Sequence, residues 1–199
     1  MNNVIPYVTT QTPRGERTVD LYSRLLEDRI VYLGSELDDG VANVLIGQLL
    51  HLESQSTDLP ISLYINSPGG SITAMLAVYD AMQFVSAPVE TTCVGQAAWT
   101  AAVLLAGGDP GRRNILPHGR VVLHQPAAQG RGTIPDLILE AEEVARVRLL
   151  LEQVLAHHTG RTPEQVRDDT DRDRVLTAVA ALDYGIVDTV LEPRRSRPS

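Results

Sequence analysis

Two strand-to-helix units follow each other closely in the middle of this chain, and they restrict its fold more than any other feature. Ile61 to Ile65 is a short apolar run of strand type, cut off by Asn66-Ser67-Pro68-Gly69-Gly70, and a helical pattern starts at Ser71, a good N-cap residue. That helix runs to about Val85, and Pro88 ends the connection. Val89 to Val94 is a second strand-like run; Gly95 turns the chain, and Ala98 to Ala106 reads as helix. Upstream, Arg29 to Leu33 reads as a strand, and Val41, Val44, Leu45, Leu49 and Leu52 recur at helical spacing between Asp38 and about Gln55. Downstream, the turn Gly107-Gly108-Asp109-Pro110-Gly111 leads to a strand at Val121 to His124. Alternating strands and helices predict an α/β domain with largely parallel strands.

The chain has 199 residues, a size suited to one domain with a sizeable core, and its 43% hydrophobic content with few aromatics calls for aliphatic packing. A formal net charge of -8 argues against nucleic-acid binding, which needs a basic face. Arg194, Arg195 and Arg197 read as a short basic tail over residues 193–199. The single cysteine, Cys93, lies in an apolar run and is expected to be a buried structural thiol. The N-terminus shows no signal-peptide pattern, and the longest apolar run, around Ala97 to Ala106, is too short to span a membrane. A cytoplasmic location is expected.

Residues 1–18 contain Pro6, Pro13 and Gly15 and read as an irregular arm, of the kind often ordered against a partner. Ala127 to Gly132 is short and flexible in character, and a long helix is predicted from Ile134 to His158, with Glu140, Glu142 and Glu143 in its first half. Such a helix carries more apolar surface than one small domain covers, so the chain is expected to oligomerise.

The segment Gly95-Gln96-Ala97-Ala98-Trp99-Thr100-Ala101-Ala102 has the setting of a nucleophile turn: a strand before, small residues around it, an apolar helix after. Trp99 stands at the nucleophile position. The Thr100 amide, next in sequence, would supply one oxyanion donor, and the Gly69-Gly70 turn the second, where absent side chains permit close approach of a carbonyl oxygen. His124 ends an apolar strand, where a lone histidine is ordinarily structural, and Asp173 belongs to a run that by itself reads as solvated charge.

Several segments, taken in order, change the weight of these residues. Tyr22-Ser23-Arg24-Leu25-Leu26, Tyr64-Ile65-Asn66-Ser67-Pro68-Gly69-Gly70, Tyr79-Asp80-Ala81-Met82-Gln83-Phe84, Gly95-Gln96-Ala97-Ala98 and His124-Gln125-Pro126 resemble the proteolytic subunit of the ATP-dependent Clp protease. So do His158-Thr159-Gly160, Asp171-Arg172-Asp173-Arg174 and Tyr184-Gly185-Ile186-Val187-Asp188, and the likeness runs from about Val4 to Leu191. This resemblance implies a crotonase-like α/β fold over residues 19–192 with a protruding handle helix at about 125–158, forming a ring of seven subunits and a stack of two rings. It implies that the family's serine falls on Trp99, its histidine base on His124 and its orienting aspartate on Asp173, with oxyanion donors at Gly70 and Thr100. Residues 1–18 resemble the arm lining the axial pore, and Asp171 with Arg172 a ring-contact pair. Tyr64, Phe84, Val94, Leu116 and Leu191 match positions of the cleft that holds an ATPase loop. Ser62 and Thr92 fall where larger apolar residues are usual, so a shallower cleft and weaker ATPase docking are expected. No cofactor or metal is implied.

Indole has no nucleophilic oxygen or sulfur, so His124 would have nothing to activate, and the chain is expected to lack peptidase activity of its own. It would then act as a structural or regulatory ring subunit beside an active paralogue. Two alternatives stay open: a displaced nucleophile at Thr100 or Ser71, and a crotonase-like acyl-coenzyme A enzyme working through paired amides. Thr100 and Ala101 also depart from the Met-Gly pair usual after the family's serine, which favours a natural divergent paralogue over an introduced substitution.

Overall fold

The computed structural model describes residues 5–12, 15–125 and 133–192. A two-stranded hairpin, β1 (Tyr7–Thr12) and β2 (Gly15–Asp20), opens the chain and leads through α1 (Leu21–Glu27) into the domain. There follow β3 (Ile30–Leu33), α2 (Asp39–Gln55), β4 (Ile61–Ser67), α3 (Ile72–Phe84), β5 (Val89–Ala98) and α4 (Thr100–Ala106). The rest comprises β6 (Arg113–Ile115), β7 (Arg120–Leu123), α5 (Ile134–Thr159), α6 (Pro163–Thr170), β8 (Arg174–Thr177), α7 (Ala178–Tyr184) and β9 (Thr189–Val190).

The predicted α/β class holds. Strands β3-β4-β5-β6-β9 are parallel neighbours, as alternation with crossover helices requires. The ten-residue β5 forks the sheet: Thr91–Cys93 pair with β6, whereas Gln96–Ala98 pair with β7, which takes β8 antiparallel on its other side. Gly95 sits at the fork. A Cβ there would lie 2.5 Å from Asn66 Oδ1, an oxygen that accepts from the Gln96 amide, and the β4–β5 register shifts at the same place. Pairing with β7 carries β5 four residues beyond the Val94 predicted from local pattern.

The helices start where their caps direct. The Asp38 side chain accepts from Val41 N and that of Ser71 from Ala74 N, each satisfying a first-turn amide. All seven residues of α4 are buried, because α3 and α5 cover what the sheet leaves open. This explains its unbroken apolar sequence. Leu49, Leu52, Met75, Leu104, Leu105 and Ile115 are among the largest fully buried side chains, and Cys93 is fully buried with them, its thiol pushed up by desolvation.

Helix α5 spans 26 residues, about 39 Å. Thr133 and Asp136 form a capping box at its start, and Gly160 closes it at φ 70. Only its second half is packed, through Leu151, Glu152, Leu155 and Ala156; Ile134 is 75% exposed and Leu139 65%. The helix therefore projects from the domain. The 126–132 part of the expected handle segment and the basic tail at 193–199 lie outside the described residues.

The N-terminal arm is not irregular where it is described: β1 and β2 pair from Tyr7↔Asp20 to Thr12↔Gly15. Its Val and Thr residues suit an extended ribbon, and Thr9 faces Thr18 across it with hydroxyls 3.0 Å apart. Of the residues read along the chain as breakers, Gly15 opens β2 at φ 116, and Pro13 lies outside the described residues.

Candidate active site

Strand β5 ends at Ala98 and α4 begins at Thr100, so the whole change of direction falls on Trp99. Its φ of 49 and ψ of -109 lie outside the ordinary regions for a side-chain-bearing residue, and only Arg29 shares a positive φ among the described non-glycine residues. Hydrogen bonds on both sides hold the turn: Trp99 N donates to Val122 O at 2.7 Å, and Trp99 O accepts from Ala102 N at 2.9 Å. This is a sharp elbow between strand and helix, the local geometry that presents a nucleophile in acyl hydrolases.

The indole turns onto His124. Their ring centroids are 4.6 Å apart at 33°, and the indole Nε1 is buried without a partner. His124 follows β7, and its Nδ1 lies 2.9 Å from Gln125 O. A carbonyl only accepts, so Nδ1 is the donor in this contact.

Asp173 precedes Arg174, which pairs with Leu123, and His124 follows Leu123; the ladder thus brings Asp173 and His124 to the same end of β7 and β8. Asp173 is nonetheless exposed and makes no hydrogen bond or ion pair among the described residues. The Gln125 side chain instead donates to Asp171 O at 3.3 Å, tying the strand end to the acidic segment. Asp171 and Arg172 are both exposed, Asp171 as the C-cap of α6.

The Pro-Gly-Gly turn packs directly on the elbow. A Cβ on Gly69 would stand 2.7 Å from Ala98 O and 3.1 Å from Thr100 Oγ1, and one on Gly70 only 2.2 Å from Leu37 O. Leu37 N donates to Gly69 O and Ser71 N to Leu37 O, fixing the turn against the end of β3. Neither the Gly70 nor the Thr100 amide donates a hydrogen bond among the described residues. Thr100 itself is fully buried with its hydroxyl unpartnered, and the Ser71 hydroxyl caps α3.

Beside the indole is a cavity of about 20 Å³, room for roughly one water. His124, Val103, Leu151, Glu152, Leu155 and Thr170 contribute to its wall. Glu152 is 3% exposed and is clamped by Arg148, 2.9 Å away, and by Arg167 of α6, whose Nη2 is 2.8 Å away. Burial pushes its carboxyl up, but hydrogen bonds from Arg167 and Arg148 outweigh that and hold its pKa below the usual value. Sequence reasoning missed Glu152. The Arg148–Glu152 spacing of i,i+4 was a signal, but Arg167 lies on another helix and comes near only through the fold.

Of the residues matched to the ATPase cleft, Tyr64 pairs with Thr92 in the β4–β5 register, and Val94 follows on β5. Leu116 N bonds Cys93 O and Leu191 N bonds Ile115 O, so these residues lie side by side across the forked sheet. Phe84, 77% exposed, is the last residue of α3 and not part of that row.

A largely parallel sheet, a strand-to-helix elbow, a strand-end histidine and a glycine turn whose Gly70 amide is free make up an α/β protein with the layout of an acyl-hydrolase site, with an indole at the elbow. The chain belongs to the Clp protease family, whose model matches residues 13–194. It is 65% identical over 191 residues to the ATP-dependent Clp protease proteolytic subunit 1 of Nocardia farcinica, covering 96% of this chain and 97% of that one. It is 58% identical to proteolytic subunit 4 of Rhodococcus jostii, over 94% of this chain and 96% of that one. The same identity holds for proteolytic subunit 2 of Streptomyces avermitilis, over 96% of each. Among the described residues, no helix is long and apolar enough to cross a membrane.

Proposed function

We propose that this chain is a ring subunit of a Clp-type protease without a nucleophile of its own, acting as a structural or regulatory partner of an active paralogue. The observation that carries this reading is the Trp99 elbow. The one side chain presented to His124 by the strained turn is an indole, which covers the imidazole and cannot attack a carbonyl. Gly70 and Thr100 are assigned as oxyanion donors on the strength of their free amides, and Asp173 as the acid that would orient His124. The displaced-nucleophile reading fits less well, because Thr100 is fully buried and the Ser71 hydroxyl is engaged as a cap. Nothing specific favours an acyl-coenzyme A enzyme.

The subunit is assigned to double rings of seven in the cytoplasm, with its N-terminal hairpin at the axial pore, its α5 handle between rings and Asp171-Arg172 at a ring contact. The projecting, apolar first half of α5 supports the handle assignment. ATPase docking is assigned to the row Tyr64, Val94, Leu116 and Leu191 with Phe84, weakened where Ser62 and Thr92 replace apolar bulk. The test is hydrolysis of a fluorogenic peptide by the pure protein, by an active paralogue and by their mixture. The pure protein should be inactive and should change the paralogue's rate. Cleavage by the pure protein, or labelling of Thr100 or Ser71 by a fluorophosphonate, would refute the reading.

A further inference from the structure

We propose that Glu152 is a positioning residue: through Arg167 it holds α6, and with it the Asp171–Asp173 segment, in register with the Trp99–His124 pocket. The proposal concerns the placement of this segment and does not depend on whether peptide is cleaved here.

Glu152 lies on the packed half of α5 between Leu151 and Leu155, and both carboxylate oxygens are engaged. Oε1 accepts from Arg148 Nε at 2.9 Å and Arg167 Nε at 3.2 Å; Oε2 accepts from Arg167 Nε at 3.1 Å and Nη2 at 2.8 Å. Arg148 belongs to the same helix and constrains nothing else. Arg167 crosses to α6, and its planar fork fixes an angle as well as a distance. An apolar contact such as that of Val166, itself 1% exposed, holds α6 down but does little to prevent its rotation. A buried charge is a poor device for stability alone, since well-packed apolar residues do as well.

Position is what this clamp controls. Helix α6 ends at Thr170, a residue of the pocket wall, and Asp171 is its C-cap. Three residues later Arg174 enters the ladder opposite Leu123, next to His124. The 171–173 segment is therefore a short bridge, anchored at its far end by β7–β8 and at its near end by α6. Asp169, paired with Arg174 and more loosely with Arg161, ties α6 to β8, and Gln125 reaches the Asp171 carbonyl. Of the ion pairs on α6, only Arg167–Glu152 connects it to the handle helix.

Trp99 is the only tryptophan in the chain, so the intact protein carries its own reporter in the pocket. The experiment compares Arg167→Gln, Glu152→Gln, Arg167→Lys and, as a control on the same handle, Arg146→Gln, which breaks an exposed pair with Glu143. Hydrogen exchange of the β8 amides, which the ladder with β7 protects where the 171–173 segment joins it, and acrylamide quenching of Trp99 are measured alongside the melting temperature. Arg167→Gln and Glu152→Gln should speed exchange in β8 about tenfold and at least double the quenching constant. Arg167→Lys, which keeps the charge and loses the fork, should fall between wild type and Arg167→Gln, and Arg146→Gln should change neither. Unchanged exchange and quenching in Arg167→Gln, even with a lowered melting temperature, would mark the clamp as merely stabilising and overturn the proposal. Should Arg167→Gln fail to fold, Arg167→Lys decides alone: at least a threefold rise in exchange confined to β8 supports the proposal, and none overturns it.

Discussion

The indole of Trp99 lies face-inclined over the imidazole of His124, 4.6 Å between centroids and 33° between planes. The two rings come from neighbouring strands: Ala98, the last residue of β5, pairs with Val122 of β7, and each ring-bearing residue lies just beyond. Sheet pairing sets the stack, and the strained backbone of Trp99 aims the indole into it. The group a hydrolase would use as base is thereby covered, with its Nδ1 proton spent on the next carbonyl.

Trp99→Ser uncovers that base. The elbow is held by backbone bonds to Val122, Ala102 and Val103 that do not involve the side chain, so the turn should survive. With the Gly70 and Thr100 amides free, the variant should gain fluorogenic-peptide hydrolysis at least tenfold above the unaltered protein in rings mixed with a serine-inactivated paralogue. Equal, background rates for both would show that His124 and Asp173 do not realign.

Gly70→Ala tests the turn beneath the elbow. At φ 154, with Leu37 O 2.2 Å and Leu37 N 2.7 Å from the added carbon, the methyl can be placed only by moving backbone. A loss on the order of 3 kcal/mol is expected by urea denaturation, from strain and overpacking together.

Arg113→Ala should be among the most damaging single changes. Arg113 is 8% exposed; its Nε and Nη2 grip Asp188 at 2.9 and 2.6 Å, and its Nη1 reaches His158 O at 2.7 Å. Burial pushes the Asp188 carboxyl up, but the Arg113 contacts outweigh it and leave its pKa below the ordinary value. Removing the guanidinium strands that carboxylate, and about 3–5 kcal/mol should be lost in equilibrium unfolding. Arg113→Lys should recover only part, since an ammonium cannot make the fork.

Acid should weaken the protein through His158. Its ring nitrogen is 2.8 Å from the Tyr79 hydroxyl, and its pKa is lowered to about 4, first by burial and then by His157 and Arg113 nearby. The unfolded chain takes up this proton near pH 6.5, before the folded one, so the contribution is complete above that pH and is lost as pH falls towards 4. About 1–2 kcal/mol is expected across the window after allowing for partial solvent screening. His158→Gln should flatten the stability profile between pH 6.5 and 4.

Local patterning accounted for the parts of the fold that are local. The Ser71 cap, the stripe of α2 and the span of α5 depend on neighbours within a turn or two, and these elements lie where the sequence placed them. Where partners are distant, the reading stopped short. Strand β5 continues to Ala98 because β7 pairs with it, and α4 starts at Thr100, two residues later than periodicity indicated, because the elbow occupies Trp99. The short elements α1, β6, α6, β8, α7 and β9 carry too few residues to show a period.

The sequence by itself determined the α/β class, the family, and the residue at the elbow, because composition, spacing and side-chain identity are properties of the chain. An indole cannot become a nucleophile in any fold. Only the tertiary structure decided where that indole goes, which nitrogen of His124 meets the Gln125 carbonyl, and that Asp173 stands at the same strand end without a bond. It also brought together Glu152 and Arg167, fifteen residues apart on different helices. Those outcomes depend on the forked sheet and on the packing of α5 with α6, contacts between segments far apart in the chain whose geometry no local pattern encodes.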